Sequence, residues 1–423
     1  MNRLGYLVPE FPGQTHIFFW RELQSLAALG VDCDLVSTRL PSKKIVSHDW
    51  SKEAMARTTY LAPMTFGATL SALLEIARSG PAGWWRLSRA ISRSEPRGPK
   101  AKIRVIALAV AGGRLAGIGR KNRWRHLHVH SCADSANVAM FAHLITGLPY
   151  SITLHGPLED YGANQRMKWS NAAFGIVITR KLLGEVKAAL NGSTPAEIDV
   201  AAMGVNVSKF QRKNDYRPWM PGASAGSAQT ARDSESSGGF QIFSCGRLNP
   251  CKGHDHLIRA IALLRQQGID AKLRIAGADD SLGKYQPVLE KLIDELNLRE
   301  AVTLLGAVSE QVVLDGLESS HVFALGSLHE PLGVAIMEAM AMQMPVVVTR
   351  AGGVPELVDD GVDGILVDAE SAPALAEGLM KIARDPELAK RLAIAGRQKV
   401  EKSFQSDQSA KVLAKHLGVA LAK

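Results

Sequence analysis

Sulfur chemistry is nearly absent from this sequence. Its four cysteines, Cys33, Cys132, Cys245 and Cys251, are scattered, with no C-x-x-C and no framework spacing. That excludes a disulfide scaffold and fits reduced thiols in a cytosol. Long apolar runs are missing as well: the longest, Val105 to Gly119, is broken by Arg114 and falls short of the ~20 residues a membrane-spanning helix needs. Met1-Asn2-Arg3-Leu4-Gly5-Tyr6 holds no adequate signal core, so secretion through a cleaved signal is not expected. The expected location is cytoplasmic, with any membrane contact peripheral on the inner face of the cytoplasmic membrane. No His, Cys and Asp cluster has convincing metal-ligand spacing. RRM, KH, helix-turn-helix and zinc-finger patterns are also lacking, so nucleic acid is not an expected partner.

Acidic residues are the scarce charge, 41 Asp and Glu against 50 Lys and Arg in 423 residues, which should draw the chain toward anions. The excess concentrates in residues 78–125, where thirteen Lys and Arg, among them Arg78, Arg86, Arg89, Arg93, Arg120, Arg123 and Arg125, face almost no acids. With Trp84 and Trp85 inside it, this region suits an anionic membrane surface, although a solvated charged face has the same composition.

The length predicts about two domains. Leu4–Val8 reads as a buried strand, Ile17–Leu29 as a helix closed by Gly30, and Asp32–Thr38 as a second strand, a β-α-β opening that implies a parallel sheet. Further strands are expected at 126–130, 150–154 and 175–179. Arg217 to Gly239, dominated by Pro, Gly, Ser, Ala and Gln, reads as a linker. The rhythm resumes at Phe240, with strands near 273–276, 302–305, 322–325 and 346–349. The expected organisation is an N-terminal α/β domain over 1–205, a linker over 206–239, and a second α/β domain over 240–403.

The chemistry concentrates at Glu330-Pro331-Leu332-Gly333-Val334-Ala335-Ile336-Met337-Glu338. Pro331 suits a first helical position, which would leave the N–H groups of Leu332, Gly333 and Val334 free to hold a diphosphate, helped by the helix dipole. Two carboxylates eight residues apart along a helix are separated by roughly 12 Å, enough to put one near a sugar and the other near a ribose. A glutamate pair alone is ordinary helix surface. Here it stands with Gly246-Arg247-Leu248-Asn249-Pro250-Cys251-Lys252-Gly253, which offers two cations to the charge that develops on a departing diphosphate. Two cations and a helix N-terminus can take the place of a divalent metal, so no metal and no cofactor is expected. Asp32-Cys33-Asp34 is a literal D-x-D, but Leu35 and Val36 carry it into a strand.

Together with Met340-Ala341, Pro345-Val346 and Gly352-Gly353-Val354-Pro355-Glu356, these motifs resemble retaining glycosyltransferases of family 4 (glycosyl transferases group 1), and look most like members that assemble exopolysaccharide or colanic acid. The resemblance covers most of the chain and is strongest from Phe240 to Val367. It implies the GT-B fold, two Rossmann-like doubly wound domains facing a cleft, with a terminal helix (404–421) crossing back to the first. It also implies a nucleotide diphosphate sugar donor held by Arg247, Lys252, Gly277, Leu332, Gly333, Val334 and Glu338, with Glu338 on the ribose, and a carbohydrate or lipid-linked oligosaccharide acceptor. Glu330 and His155 would be the catalytic pair at the transferred sugar. The Thr153-Leu154-His155-Gly156 context puts His155 after a strand, where open α/β sheets place ligands. Family members often have two glycines after the first strand. This chain has Gly13 alone, so Gln14 or Thr15 would substitute in that donor contact or serve the acceptor side, and His130 is a further acceptor-side candidate, although its place on a strand favours a packed core histidine. Two other readings stay open: a nucleotide-sugar epimerase built the same way, and a non-catalytic nucleotide-sugar-binding assembly protein.

Overall fold

The computed structural model describes residues 2–13, 16–41, 50–220, 238–279 and 283–419. Contacts divide the chain into two units, residues 1–203 with 406–423, and residues 204–405. The first contains β1 (Asn2–Glu10), β2 (Val31–Arg39), β3 (Thr59–Ala62), β4 (His126–His130), β5 (Tyr150–Leu154), β6 (Gly175–Val177) and β7 (Ile198–Val200). They pair in the order β3-β2-β1-β4-β5-β6-β7, every pair parallel. The second contains β8 (Phe240–Cys245), β9 (Ala271–Ala276), β10 (Val302–Gly306), β11 (Val322–Leu325), β12 (Val346–Thr349) and β13 (Ile365–Val367). Their order, β10-β9-β8-β11-β12-β13, is again parallel throughout.

Strands covered by helices on both faces must be apolar along their whole length. Val-Phe-Ala-Leu in β11 and Val-Val-Val-Thr in β12 are buried at every position. The sequence expectation matched these buried central strands. It lacked β3, β7 and β13, strands of four, three and three residues at the sheet edges, which carry too little periodicity to register.

Around the first sheet, the 23-residue helix Pro99–Lys121 packs against both Asp134–Thr146 and Phe66–Arg78. Adjacent glycines allow it. A Cβ on Gly112 would come within 2.6 Å of the Phe141 Cβ on one neighbour, and a Cβ on Gly113 within 2.6 Å of the Ala72 carbonyl oxygen on the other. Because close packing is needed on two sides, this helix shows no single apolar stripe.

The stretch expected to open the linker is packed instead. Arg212 donates to the carbonyls of Leu317 (3.3 Å) and Glu318 (2.5 Å), Tyr216 donates to the His321 carbonyl (2.7 Å), and the Trp219 ring lies 5.4 Å from that of Phe240. Residues 206–220 therefore belong to the second unit, and residues 221–237 lie outside the described residues. The last helix is Gln408–His416, shorter than the expected 404–421, and it groups with the first unit. There His416 stacks on Phe174 at 4.0 Å and bonds Asp199 at 2.6 Å.

Candidate functional site

In the second unit, β8 and β11 are neighbours at the point where strand order reverses, the position at which open α/β sheets bind ligands. The segments leaving β8, β9, β11 and β12 meet there. After β8, the Asn249 side chain accepts the Cys251 N–H at 2.9 Å and caps a 3-10 turn, Pro250–Lys252, which ends at Gly253 with φ 59°. Any side chain at 253 would strike the Gly326 carbonyl oxygen, 1.9 Å from an ideal Cβ, so the β8 and β11 segments touch backbone to backbone. A Cβ on Gly277, after β9, would lie as close to the Gly246 oxygen. From the β12 side, the Gly353 N–H donates to the Glu330 carbonyl at 3.0 Å.

These contacts seat Lys252 Nζ 2.5 Å from Glu330 Oε2, with Ser327 Oγ donating to the same oxygen at 3.3 Å. The two charged side chains are only 14% and 9% exposed, so the pair is largely withdrawn from water. Arg247 is half-buried in the segment before Lys252. His254, which sequence reasoning missed, is fully buried and held at a pKa of about 4 by burial; its neutral ring donates Nε2–H to the Arg247 carbonyl at 3.2 Å and pins the loop. The only trace of this in the sequence is a histidine directly after Lys252-Gly253.

The helix that carries Glu338 begins later than the sequence suggests. It spans Val334–Ala341, with Gly333 as its N-cap at φ 106°, and its first closing bond is Met337 N–H to Gly333 O at 3.0 Å. Pro331 and Leu332 therefore precede the helix, and the donors at its first turn belong to Val334, Ala335 and Ile336 rather than to Leu332, Gly333 and Val334. The expected 12 Å helical spacer between the glutamates does not exist either, because residues 330–333 are not helical. Glu330 is instead turned onto Lys252. Glu338 still reaches the same strand end: the Cys245 thiol is pushed up to about 12 by burial and by the Glu338 charge, with Lys252 opposing.

In the first unit, His155 follows β5 and His130 ends β4, where they form part of a relay. Glu22 Oε2 lies 2.9 Å from His130 Nε2, and His130 Nδ1 lies 3.0 Å from His155 Nε2. Tyr6 donates its hydroxyl to the same Glu22 oxygen at 2.5 Å. The adjacent Glu22 carboxylate favours the proton on His130 Nε2 although the two do not meet in hydrogen-bond geometry; in that tautomer His130 Nδ1 accepts from His155 Nε2–H, and His155 is left with Nδ1 as an acceptor. Burial, and then the neighbouring His130, lowers the His155 pKa to about 3, which keeps this ring neutral. His130, expected as an acceptor-side contact, is instead fully buried and touches no solvent, packed between Glu22 and His155. Glu22 and Tyr6 were not legible as partners, since they lie on the first helix and the first strand, far from His130 in the sequence.

Glu22, His128 and His130 also bring ligand-type atoms within 4.8 Å of one another, a grouping no spacing motif reveals. His128 already bonds Ser151 (2.7 Å) and Thr153 (2.9 Å) through its two ring nitrogens, which makes the group a hydrogen-bonded core rather than an open metal cage. Gly13 differs from expectation too. The space a Cβ would fill is occupied by His16 Nδ1, 2.6 Å away, so this glycine accommodates a histidine ring. Gln14 and Thr15 lie outside the described residues. Asp34 of the D-x-D lies in β2, bonded to Arg3 (2.8 Å) and to the Trp124 indole (2.6 Å).

The sequence matches the family described as Glycosyl transferases group 1 over residues 228–399. It is 30% identical to the putative colanic acid biosynthesis glycosyltransferase WcaL of Salmonella typhimurium over 230 residues, 53% of this chain and 51% of that protein. With WcaL of Escherichia coli it is 25% identical over 95% of this chain and 96% of that protein. The chain spans about half the length of several curated relatives it matches. Among solved structures, Anabaena Alr3699/HepE in complex with UDP and glucose superposes with a TM-score of 0.71 at 17% identity, covering 99% of this chain and 100% of that one. Two parallel, doubly wound sheets and the likeness to HepE thus agree: the chain has the GT-B fold, and over residues 228–399 its sequence is similar to the glycosyl transferases group 1 family.

Proposed function

We propose that this chain is a retaining glycosyltransferase that moves a hexose from a nucleotide diphosphate sugar to a hydroxyl of a carbohydrate or lipid-linked oligosaccharide acceptor in exopolysaccharide assembly. The observation that carries the reading is the withdrawn Lys252–Glu330 pair beside Glu338 at the β8/β11 strand ends. Arg247 and Lys252 neutralise the departing diphosphate, aided by the N–H groups at the start of the Val334–Ala341 helix. Glu338 accepts from the ribose hydroxyls. Glu330 aims Lys252 through Oε2 and meets the transferred sugar with its other oxygen, and His155 Nδ1 accepts from a sugar hydroxyl. The HepE complexes with UDP support a nucleotide-sugar donor, and the two WcaL relatives support the exopolysaccharide setting. The lipid-linked acceptor would be met at an anionic membrane face through residues 78–125.

Glu338→Ala should weaken nucleotide binding and cut turnover on the order of a hundredfold or more, as for loss of one preorganised polar contact. Nucleotide release from a panel of nucleotide sugars, supplied with membrane extract and followed by product identification, measures it; unchanged turnover would sink the clamp. Conversion of donor without an acceptor would instead identify an epimerase, and binding without release a sensor. Because the charge is met by side chains and helix N–H groups, release should persist in excess EDTA. A complete loss restored by Mg²⁺ or Mn²⁺ would overturn metal independence.

A further inference from the structure

At the opposite end of the strands from His155 in the first sheet, a cavity of ≈ 790 Å³ opens beside the residues that precede β4 and β5. Arg78, Arg86, Arg120, Arg123 and Arg125 line it. One carboxylate answers them: Glu75 bonds Arg78 at 2.8 Å and also pairs with Arg120. Arg86 donates to the Leu144 carbonyl at 3.2 Å, and Arg123 and Arg125 make no ion pair among the described residues. So many guanidinium groups around one hollow repel one another unless an anion joins them.

Arg78 is also the last residue of the helix Phe66–Arg78, and this helix is built inside out. Its covered face carries Ala72 and Glu75, while Phe66, Leu70, Leu73 and Leu74, at i, i+4, i+7 and i+8, are 86%, 50%, 48% and 51% exposed. An apolar stripe of that spacing belongs against something apolar. Next to it, Trp84 donates its indole N–H to the Ile76 carbonyl at 2.8 Å, and Trp85, 59% exposed, carries Arg89 over its ring at 4.8 Å. Aromatic rings beside arginines at the end of an apolar stripe match the boundary between headgroups and acyl chains. No helix among the described residues is long and apolar enough to cross a membrane.

We infer that this corner of the first unit docks on an anionic phospholipid bilayer, with a headgroup phosphate in the arginine cavity and the outward face of the Phe66–Arg78 helix in the acyl boundary. The inference deepens the membrane part of the proposed function: the apolar contact lies outside the basic stretch 78–125, and the charge acts at one cavity. It needs no sugar transfer.

Co-sedimentation of the full chain with vesicles tests it. The wild type should bind phosphatidylglycerol–phosphatidylcholine vesicles and not phosphatidylcholine alone. Arg123→Gln with Arg125→Gln should weaken binding about fivefold per arginine, and Leu70→Ser with Leu73→Ser and Leu74→Ser roughly tenfold or more. All five positions are exposed and outside the donor clamp, so far-UV circular dichroism should stay unchanged. Binding equal to wild type in both variants overturns the site, even if the vesicles are bound through other basic residues. Binding of inorganic pyrophosphate without vesicles overturns the lipid assignment in favour of a soluble anion, and self-association abolished by the serine changes, without vesicle binding, overturns it in favour of a second copy. Vesicle binding in a preparation without transferase activity supports the docking site and counts only against the transfer reading.

Discussion

Glu330→Ala is expected to cost the second unit about 3–5 kcal/mol of stability and to lower sugar transfer by at least about a hundredfold. Stability falls because Lys252 would remain withdrawn from water without its carboxylate, in a pocket closed by backbone contacts at Gly253 and Gly353 that give it little freedom to move out. The double change Lys252→Met with Glu330→Leu separates the two losses. A buried ion pair replaced by apolar groups of similar volume is often neutral for folding, so the double variant should recover most of the stability and none of the transfer. Urea unfolding and donor turnover on the same preparations read this out. A Glu330→Ala protein as stable as wild type would mean that the pair is hydrated and weak; transfer in the double variant would remove Lys252 and Glu330 from the mechanism.

The second large effect is acid lability. His126, His254 and His321 are held at about 4 and His155 at about 3, in each case chiefly by burial. For His321 the hydrogen bond itself needs a neutral ring, because Nδ1 accepts the Gln241 N–H at 2.9 Å, which a protonated nitrogen cannot do; for the other three, burial disfavours the charged ring. Because their folded pKa values lie below the ordinary 6.5, the stabilisation is complete above that pH. It is lost as pH falls from 6.5 toward 4, where the unfolded chain takes up protons that the folded chain refuses. Each histidine contributes a slope of up to about 1.4 kcal/mol per pH unit, so the four together approach about 5 kcal/mol per unit. Urea midpoints between pH 7 and pH 5 should drop steeply, and His254→Gln should flatten the fall in the second unit. Midpoints unchanged down to pH 5 would refute the assignment of these rings as obligately neutral.

How far the sequence reached can be traced through particular elements. Central strands were readable because both faces are covered and the residues run apolar without interruption, as in β11 and β12; three-residue edge strands offered nothing to count. Arg247, Lys252, Glu330 and Glu338 were readable as a set because each sits in a local motif at a strand end. What they touch was not readable. Lys252 meets Glu330 across 78 positions, and Glu22 meets His130 across two elements of the fold. The start of the Glu338 helix was misjudged because Pro331 is a good first helical residue, whereas Gly333 adopts a positive φ that caps the helix two residues later. The Phe66–Arg78 helix misleads in the opposite way: its periodicity marks a stripe, but only the structure shows that the stripe faces outward.

The glycine contact at 253 carries a consequence for anyone recombining such proteins. A side chain that obstructs a neighbour can rotate; a carbonyl held in a backbone crossing cannot. The segments after β8 and β11 are therefore one inheritable piece, although 73 residues separate Gly253 from Gly326 in the sequence. Chimeras that import one segment from a relative should fail unless the other comes with it, and substitutions selected on one side of that crossing should come in pairs with changes on the other.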